Sequence, residues 1–122
     1  MNPYSQNEYF YYALILIAGG FLCFANLGTH PIYILDEAKN AEAAREMFVE
    51  NNWIVPTFNG ELRTDKPPLH YWFMMIAYKL FGVSAFAARF FSAFFGVLTI
   101  ISTYHFTKKF IHKRMAAITV FV

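Results

Sequence analysis

The chain has one cysteine in 122 residues, Cys23, set inside an apolar run. Neither a disulfide framework nor a cysteine-built metal site is therefore available. An acylated Cys23 is disfavoured by the preceding Leu22 and by the missing basic start. Charge is scarce as well: Asp, Glu, Lys and Arg make up 15% of the chain, against roughly 25% in soluble domains. Residues 9–35 and residues 90–107 carry none of the four. The opening stretch, residues 1–12, lacks Lys and Arg, so the positive start of a cleavable signal peptide is absent and an uncleaved anchor is expected. The net charge is +2 with its basic residues scattered save for one cluster, which gives no nucleic-acid footprint.

What is present is apolar and aromatic. Hydrophobic residues are 57% of the chain and aromatics 20%, with fifteen Phe and eight Tyr. A charge at the bilayer centre costs roughly 2.5–3.5 kcal/mol on insertion scales, so long uncharged stretches mark membrane spans. The expected fold is an all-α membrane protein: transmembrane helices with an extracytoplasmic loop that contains juxtamembrane helices. Residues 1–8 form a cytoplasmic N-terminus and 9–28 the first span, with Tyr9, Tyr11 and Tyr12 as interfacial anchors and Gly28–Pro31 as its stop. Gly19–Gly20 in mid-span either allows close helix approach or is a weak point facing lipid.

Residues 29–86 are the loop, 87–107 the second span with Arg89 at its head, 108–114 a short connection, and 115–122 the start of a third span that stops after eight residues. Lys108, Lys109, Lys113 and Arg114 place the connection in the cytoplasm. The N-terminus is then cytoplasmic too, and the 29–86 loop faces outward. A third span cut short reads as part of a larger multi-pass protein, because two helices and a loop leave their faces without partners in lipid.

Within the loop, apolar residues recur at helical spacing from Asp36 to Glu50, in a helix too charged to span. Asn59–Gly60 between short extended stretches predicts a type I′ hairpin, and Pro56 confines its strand to an edge. A further helix runs from Pro67 to about Phe81, with proline at its start and Gly82 as its stop. Apolar nearly all round but short for a span, it is expected to lie in the membrane surface, with a re-entrant segment as the alternative.

The ordered set Asp36–Glu37, Arg45–Glu46–Met47, Trp53 with Pro56, Gly60, Asp65–Lys66–Pro67 and Tyr71–Trp72 resembles the first outer loop of the 4-amino-4-deoxy-L-arabinose transferase / protein O-mannosyltransferase group. These are polytopic C-type glycosyltransferases that use polyprenyl-phosphate sugars. The likeness covers roughly residues 9–107. It implies a multi-span enzyme of the bacterial inner membrane with its active site on the periplasmic or exterior face. The donor is a polyprenyl-phosphate-linked sugar and the acceptor a lipid such as lipid A, another glycan or a protein. A divalent cation (Mg, Mn or Zn) and no organic cofactor are expected, and the present chain alone is expected to be inactive. Asn40 stands where arabinose-transferase members tend to carry Tyr, and Arg63 near where they carry an aromatic; both departures bear on which sugar is used.

The resemblance makes Asp36 the catalytic carboxylate, Lys66 the contact for the donor phosphate, Asp65 a metal-side ligand, and Arg63 and Glu37 substrate-binding residues. Each has a plainer reading. Asp36 suits a helix N-cap, Glu37 a first-turn residue facing the helix dipole, and Asp65 a cap for the Pro67 helix. Lys66 could snorkel to headgroups, and Arg63 could be a solvated hairpin position. No glycine-rich phosphate loop, zinc spacing or nucleophile elbow occurs, which argues against a soluble nucleotide-sugar enzyme. A small non-catalytic membrane anchor whose outer loop binds a partner is the competing function.

Overall fold

A computed structural model describes residues 3–33, 35–110 and 113–119. The described residues are mostly helical. The elements are α1 (Pro3–Phe24), α2 (Leu35–Val49), β1 (Thr57–Phe58), β2 (Glu61–Leu62), α3 (Pro68–Phe81), α4 (Ala85–Phe110) and α5 (Lys113–Thr119). They divide into two compact units, one built from Asn26–Phe91 and the other from Met1–Ala25 with Ser92–Val122.

The Asn26–Phe91 unit has a core of its own. Ala41, Ala44 and Met47 on α2 face Tyr71, Met74, Met75 and Tyr78 on α3, and Ala87 and Ala88 from the start of α4 close the cluster. The small α2 residues explain the close fit: alanines leave room for the tyrosine and methionine side chains of α3 to interdigitate. The α3 positions recur at i, i+3, i+4 and i+7, one face of a helix. Tyr78 is buried and its hydroxyl donates to the Ala41 carbonyl at 3.1 Å. Burial pushes its phenol up to about 12. The opposite face of α3 leaves Leu69, Trp72, Ile76 and Leu80 exposed, so α3 is apolar on both sides. At 14 residues it is about 21 Å long, too short to cross a ~30 Å hydrocarbon core.

The loop elements follow their local chemistry. Asn51 adopts φ 52 just past α2, and the Asn52 carboxamide oxygen accepts the Ile54 and Val55 N–H groups at 3.1 Å each. The hairpin pairs Thr57 with Leu62 and Phe58 with Glu61. Asn59 and Gly60 have φ 53 and 77, the two left-handed residues that a type I′ turn requires. The Arg63 N–H donates to the Pro56 carbonyl at 2.9 Å, extending the pairing by one bond. Pro67 is the N-cap residue of α3, and the Gly82 N–H closes its end on the Tyr78 carbonyl with φ 78.

In the other unit, Gly19 lies against Ile100: a Cβ there would meet the Ile100 side chain at 3.2 Å. Close approach is therefore the role of Gly19, whereas Gly20 has open space around it. Ile15, Tyr104 and Ala116 form a small core. The Tyr12 hydroxyl and His105 Nδ1 are hydrogen-bonded at 3.0 Å, and the Lys108 ammonium sits 4.7 Å over the Tyr12 ring.

The helix ends extend past the apolar stretches. Helix α1 runs from Pro3 to Phe24, and Asn26, at φ 63, follows its end ahead of Gly28. Its apolar part, Tyr9–Phe24, is a shorter apolar helix, and among the described residues α4 is long and apolar enough to cross a membrane. Helix α4 exceeds 87–107 at both ends. Lys108 and Lys109 lie in its last turn, where cations complement the helix dipole. Residues 111–112, including His112, and residues 120–122 of the expected third span lie outside the described residues.

Candidate functional site

The site candidates sit on two pieces of the Asn26–Phe91 unit: the first turns of α2 and the stretch that leaves the hairpin. Polar side chains tie these pieces together. The Glu46 carboxylate accepts the Thr57 hydroxyl at 2.7 Å and the Asn59 N–H at 2.7 Å. These donors, the Thr57 hydroxyl first, hold the Glu46 carboxyl below its usual value against the upward push of burial. The Asn40 carboxamide oxygen accepts Arg63 Nη2 at 3.0 Å. Trp72 Nε1 donates to the Trp53 carbonyl at 2.6 Å, fixing the descent from α2 onto α3.

Asp36 and Glu37 both lie in the first turn of α2, which begins at Leu35. Asp36 is therefore inside the helix and not its N-cap. It is exposed. Glu37 is the partner of Arg89: Nε to Oε1 at 2.5 Å and Nη2 to Oε2 at 2.9 Å. Arg89 Nη1 also donates to the Leu27 and His30 carbonyls at 2.9 Å each. The Arg89 hydrogen bonds hold the Glu37 carboxyl below its ordinary value, outweighing burial. Glu37 thus has a binding partner within the chain, as its first-turn reading allows.

Arg63 is 6% exposed, which overturns the solvated-hairpin reading. Its guanidinium carbon lies 5.8 Å from the Phe58 ring centroid, and its Nε is 3.7 Å from Asp65 Oδ2. Asp65 is 72% exposed. It does not cap α3, since the N-cap residue is Pro67 and no side chain caps that end. Lys66 is exposed. Its charge, after burial, helps hold the His70 imidazole below its usual value. A cavity of about 190 Å³ is lined by Lys39, Phe58, Glu61, Arg63 and Asp65 among others. The structure brings Arg63, Asp65 and Lys39 to this cavity; Asp36, Glu37 and Lys66 do not line it.

No group of three or more His, Cys, Asp or Glu side chains that could hold a metal occurs among the described residues. Asp65 supplies one carboxylate, which does not by itself complete a divalent-cation site.

Sequence reasoning passed over Lys39, and it noted Arg89, Glu46 and Asn40 without the partners that the structure gives them. Arg89 carried a signal: a lone charge at the head of a long uncharged helix calls for a partner. Glu46 and Asn40 carried none, because their partners lie 11 to 23 residues away.

Comparison with known proteins agrees with this architecture. The family described as dolichyl-phosphate-mannose-protein mannosyltransferase matches residues 65–122. An uncharacterized protein of Aquifex aeolicus is 34% identical over 111 residues, 91% of this chain and 22% of that protein. The undecaprenyl phosphate-alpha-4-amino-4-deoxy-L-arabinose arabinosyl transferase of Shewanella sediminis is 36% identical over 96 residues, 79% of this chain and 18% of that protein. ArnT from Cupriavidus metallidurans bound to undecaprenyl phosphate superposes with a TM-score of 0.76 at 29% identity, over 85% of this chain and 19% of that one. The chain spans about a fifth of the length of the curated relatives it matches. It belongs to the group that joins the 4-amino-4-deoxy-L-arabinose transferases to the dolichyl-phosphate-mannose-protein mannosyltransferases.

Proposed function

We propose that this chain is part of an integral-membrane glycosyltransferase that moves a sugar from a polyprenyl-phosphate carrier to an extracytoplasmic acceptor such as lipid A, another glycan or a protein. The protein sits in the bacterial inner membrane as a multi-pass protein, with the segment between α1 and α4 facing the periplasm or exterior. In the reaction, the bond from the anomeric carbon to the carrier phosphate breaks and a bond to the acceptor oxygen forms. The acceptor proton passes to the Asp36 carboxylate. The bonding pair leaves with the phosphate, whose charge the Lys66 ammonium stabilises.

The observation that carries this reading is the Asn40–Arg63 hydrogen bond at 3.0 Å. Asn40 lies four residues beyond Asp36, on the same face of α2 and about one 5.4 Å turn away. Lys66 lies three residues beyond Arg63 on the partner strand exit. That one bond ties the α2 turn after Asp36 to the hairpin exit before Lys66, which supports a shared role for the two groups. Exposed apolar residues on α3 favour a headgroup-level location for the pair.

The test is Asp36→Asn in the full-length protein in membranes. Transfer is expected to be lost at normal membrane abundance, and unchanged transfer would remove Asp36 from the mechanism. Lys66→Ala is expected to weaken use of the lipid donor; an unaltered apparent donor affinity would count against phosphate contact.

A further inference from the structure

We propose that Arg89 is a positioning residue for sugar transfer: through Glu37 and the carbonyls of the α1–α2 connection it fixes the first turn of α2, and with it the Asp36 carboxylate. The inference rests on the reading that Asp36 takes the acceptor proton.

Asp36 needs such support. It is exposed, and it makes no hydrogen bond or ion pair with the described residues. Its place therefore comes from the backbone of the first turn of α2. That end of a helix has N–H groups without intrahelical partners, and it frays. A misplacement of about 1 Å can cost on the order of a hundredfold in rate. A catalytic Asp36 thus requires a hold on this turn from outside α2.

Arg89 supplies the hold. All five N–H donors of its guanidinium have acceptors: Nε and Nη2 donate to the two Glu37 oxygens, Nη1 to the Leu27 and His30 carbonyls, and Nη2 also to the Pro31 carbonyl at 3.4 Å. Arg63, by contrast, leaves Nε and Nη1 without hydrogen bonds. A saturated fork has no donor left for a ligand, so Arg89 acts on the chain and not on a substrate. Its base is firm. Ala87 and Ala88, just before it, are buried in the core shared by α2 and α3, and Ser84 Oγ accepts the Ala87 N–H at 3.2 Å. The connection itself packs on this end of α4: a Cβ on Gly28 would meet the Phe86 Cβ at 3.2 Å.

Helix geometry passes the constraint to Asp36. Neighbouring residues stand about 100° apart around a helix. Two parallel bonds to Glu37 resist rotation of the turn about its axis as well as drift along it, which a single bond does not. Fixing Glu37 therefore fixes the direction in which Asp36 leaves the turn. Both Glu37 oxygens already accept from Arg89, so Glu37 is assigned to this hold and not to the sugar.

The test uses the full-length protein in membranes, with undecaprenyl phosphate-linked 4-amino-4-deoxy-L-arabinose as donor and lipid A as acceptor. Hydrogen exchange is read on the same preparations at amides 39–42, whose bonds close the first turns of α2. Arg89→Met is expected to lower kcat per folded molecule by about ten- to hundredfold, with donor KM unchanged and exchange at 39–42 faster. Arg89→Lys is expected to recover part of the rate, since an ammonium cannot reproduce the fork. Glu37→Gln is expected to lower kcat less, again at unchanged donor KM. Arg45→Gln removes another ion pair of α2, to Glu42 at 2.6 Å, and is expected to transfer as wild type.

A lowered melting temperature with kcat intact in Arg89→Met would overturn the proposal, because Arg89 would then serve the fold alone. A raised donor KM at unchanged kcat in Glu37→Gln would overturn it too, by returning Glu37 to the sugar. So would an Arg45→Gln protein as slow as Arg89→Met, since the effect would be general to α2. Should Arg89→Met fail to fold, Arg89→Lys and Glu37→Gln decide by the same split. Where the wild type does not use this sugar, exchange decides, and wild-type exchange in Arg89→Met would refute the hold. If Asp36→Asn transfers normally, the catalytic reading falls and this inference with it. If Asp36→Asn is inactive and Arg89→Met fully active, only this inference falls.

Discussion

Glu37 and Arg89, 52 residues apart in the chain, are joined by two parallel hydrogen bonds, Nε to Oε1 at 2.5 Å and Nη2 to Oε2 at 2.9 Å. The same guanidinium takes the Leu27 and His30 carbonyls at 2.9 Å. One side chain thus ties the exit from α1, the first turn of α2 and the head of α4. The pair is partly covered, at 22% and 24% exposure, which places it between a screened surface bridge and a buried one.

Arg89→Met removes the charge and leaves the Glu37 carboxylate and two backbone carbonyls without their donor. The expected loss is on the order of 2–3 kcal/mol for that unit. Arg89→Lys recovers only part of it, since an ammonium cannot reproduce the bidentate fork. Intrinsic fluorescence of Trp53 and Trp72 during denaturation measures both. Equal stability of wild type and Arg89→Met would mean the staple is dispensable.

The Glu37 and Glu46 carboxyls are both held below their ordinary value of 4.5, Glu37 by Arg89 and Glu46 by the Thr57 hydroxyl first. A carboxyl with a depressed folded-state value contributes stability that is full above its unfolded value and is lost as pH falls through the folded one. Stability of the Asn26–Phe91 unit is therefore expected to be flat from neutrality down to about pH 4.5 with respect to these two groups, and to fall below that. Glu37→Gln should flatten part of the acid slope. A stability-against-pH curve for the two proteins, read from the same tryptophans, is the check.

Gly60 has φ 77 in the hairpin turn, where a side chain brings strain and not crowding, because nothing lies within 4 Å. Gly60→Val is expected to cost about 1 kcal/mol or more. Glu46→Ala attacks the same hairpin from α2 by removing the acceptor of Thr57 and Asn59. Faster amide hydrogen exchange over residues 57–63 in both variants would show the loosening, and exchange unchanged from wild type would show that the hairpin holds without them.

Local chemistry made much of this unit legible in advance. Alternation at helical spacing placed α2 within one residue, Asn59–Gly60 gave the turn with both residues at positive φ, and Pro67 and Gly82 bracketed α3. These features depend on residues within a turn of one another, so the sequence carries them directly. The ends of α1 and α4 were less legible, because polar residues such as Ser5 to Glu8 and Lys108–Lys109 extend a helix without adding to its apolar pattern. Gly19 and Gly20 look equivalent in sequence; only the position of Ile100 separates them.

By itself the chain determined where charge is absent, and hence which stretches suit lipid. It also determined that an Asp-Glu pair and an Asp-Lys-Pro-Pro run lie between them. Tertiary structure decided the rest: that Glu37 is engaged by Arg89, that Asp36 sits inside α2 and not at its cap, and that Arg63 is buried with two donors unmet. The physical reason is reach. Capping, turn and periodicity preferences act over a few residues, whereas a guanidinium finds its acceptors only after the backbone has carried residues 23 to 62 positions apart to within 3 Å.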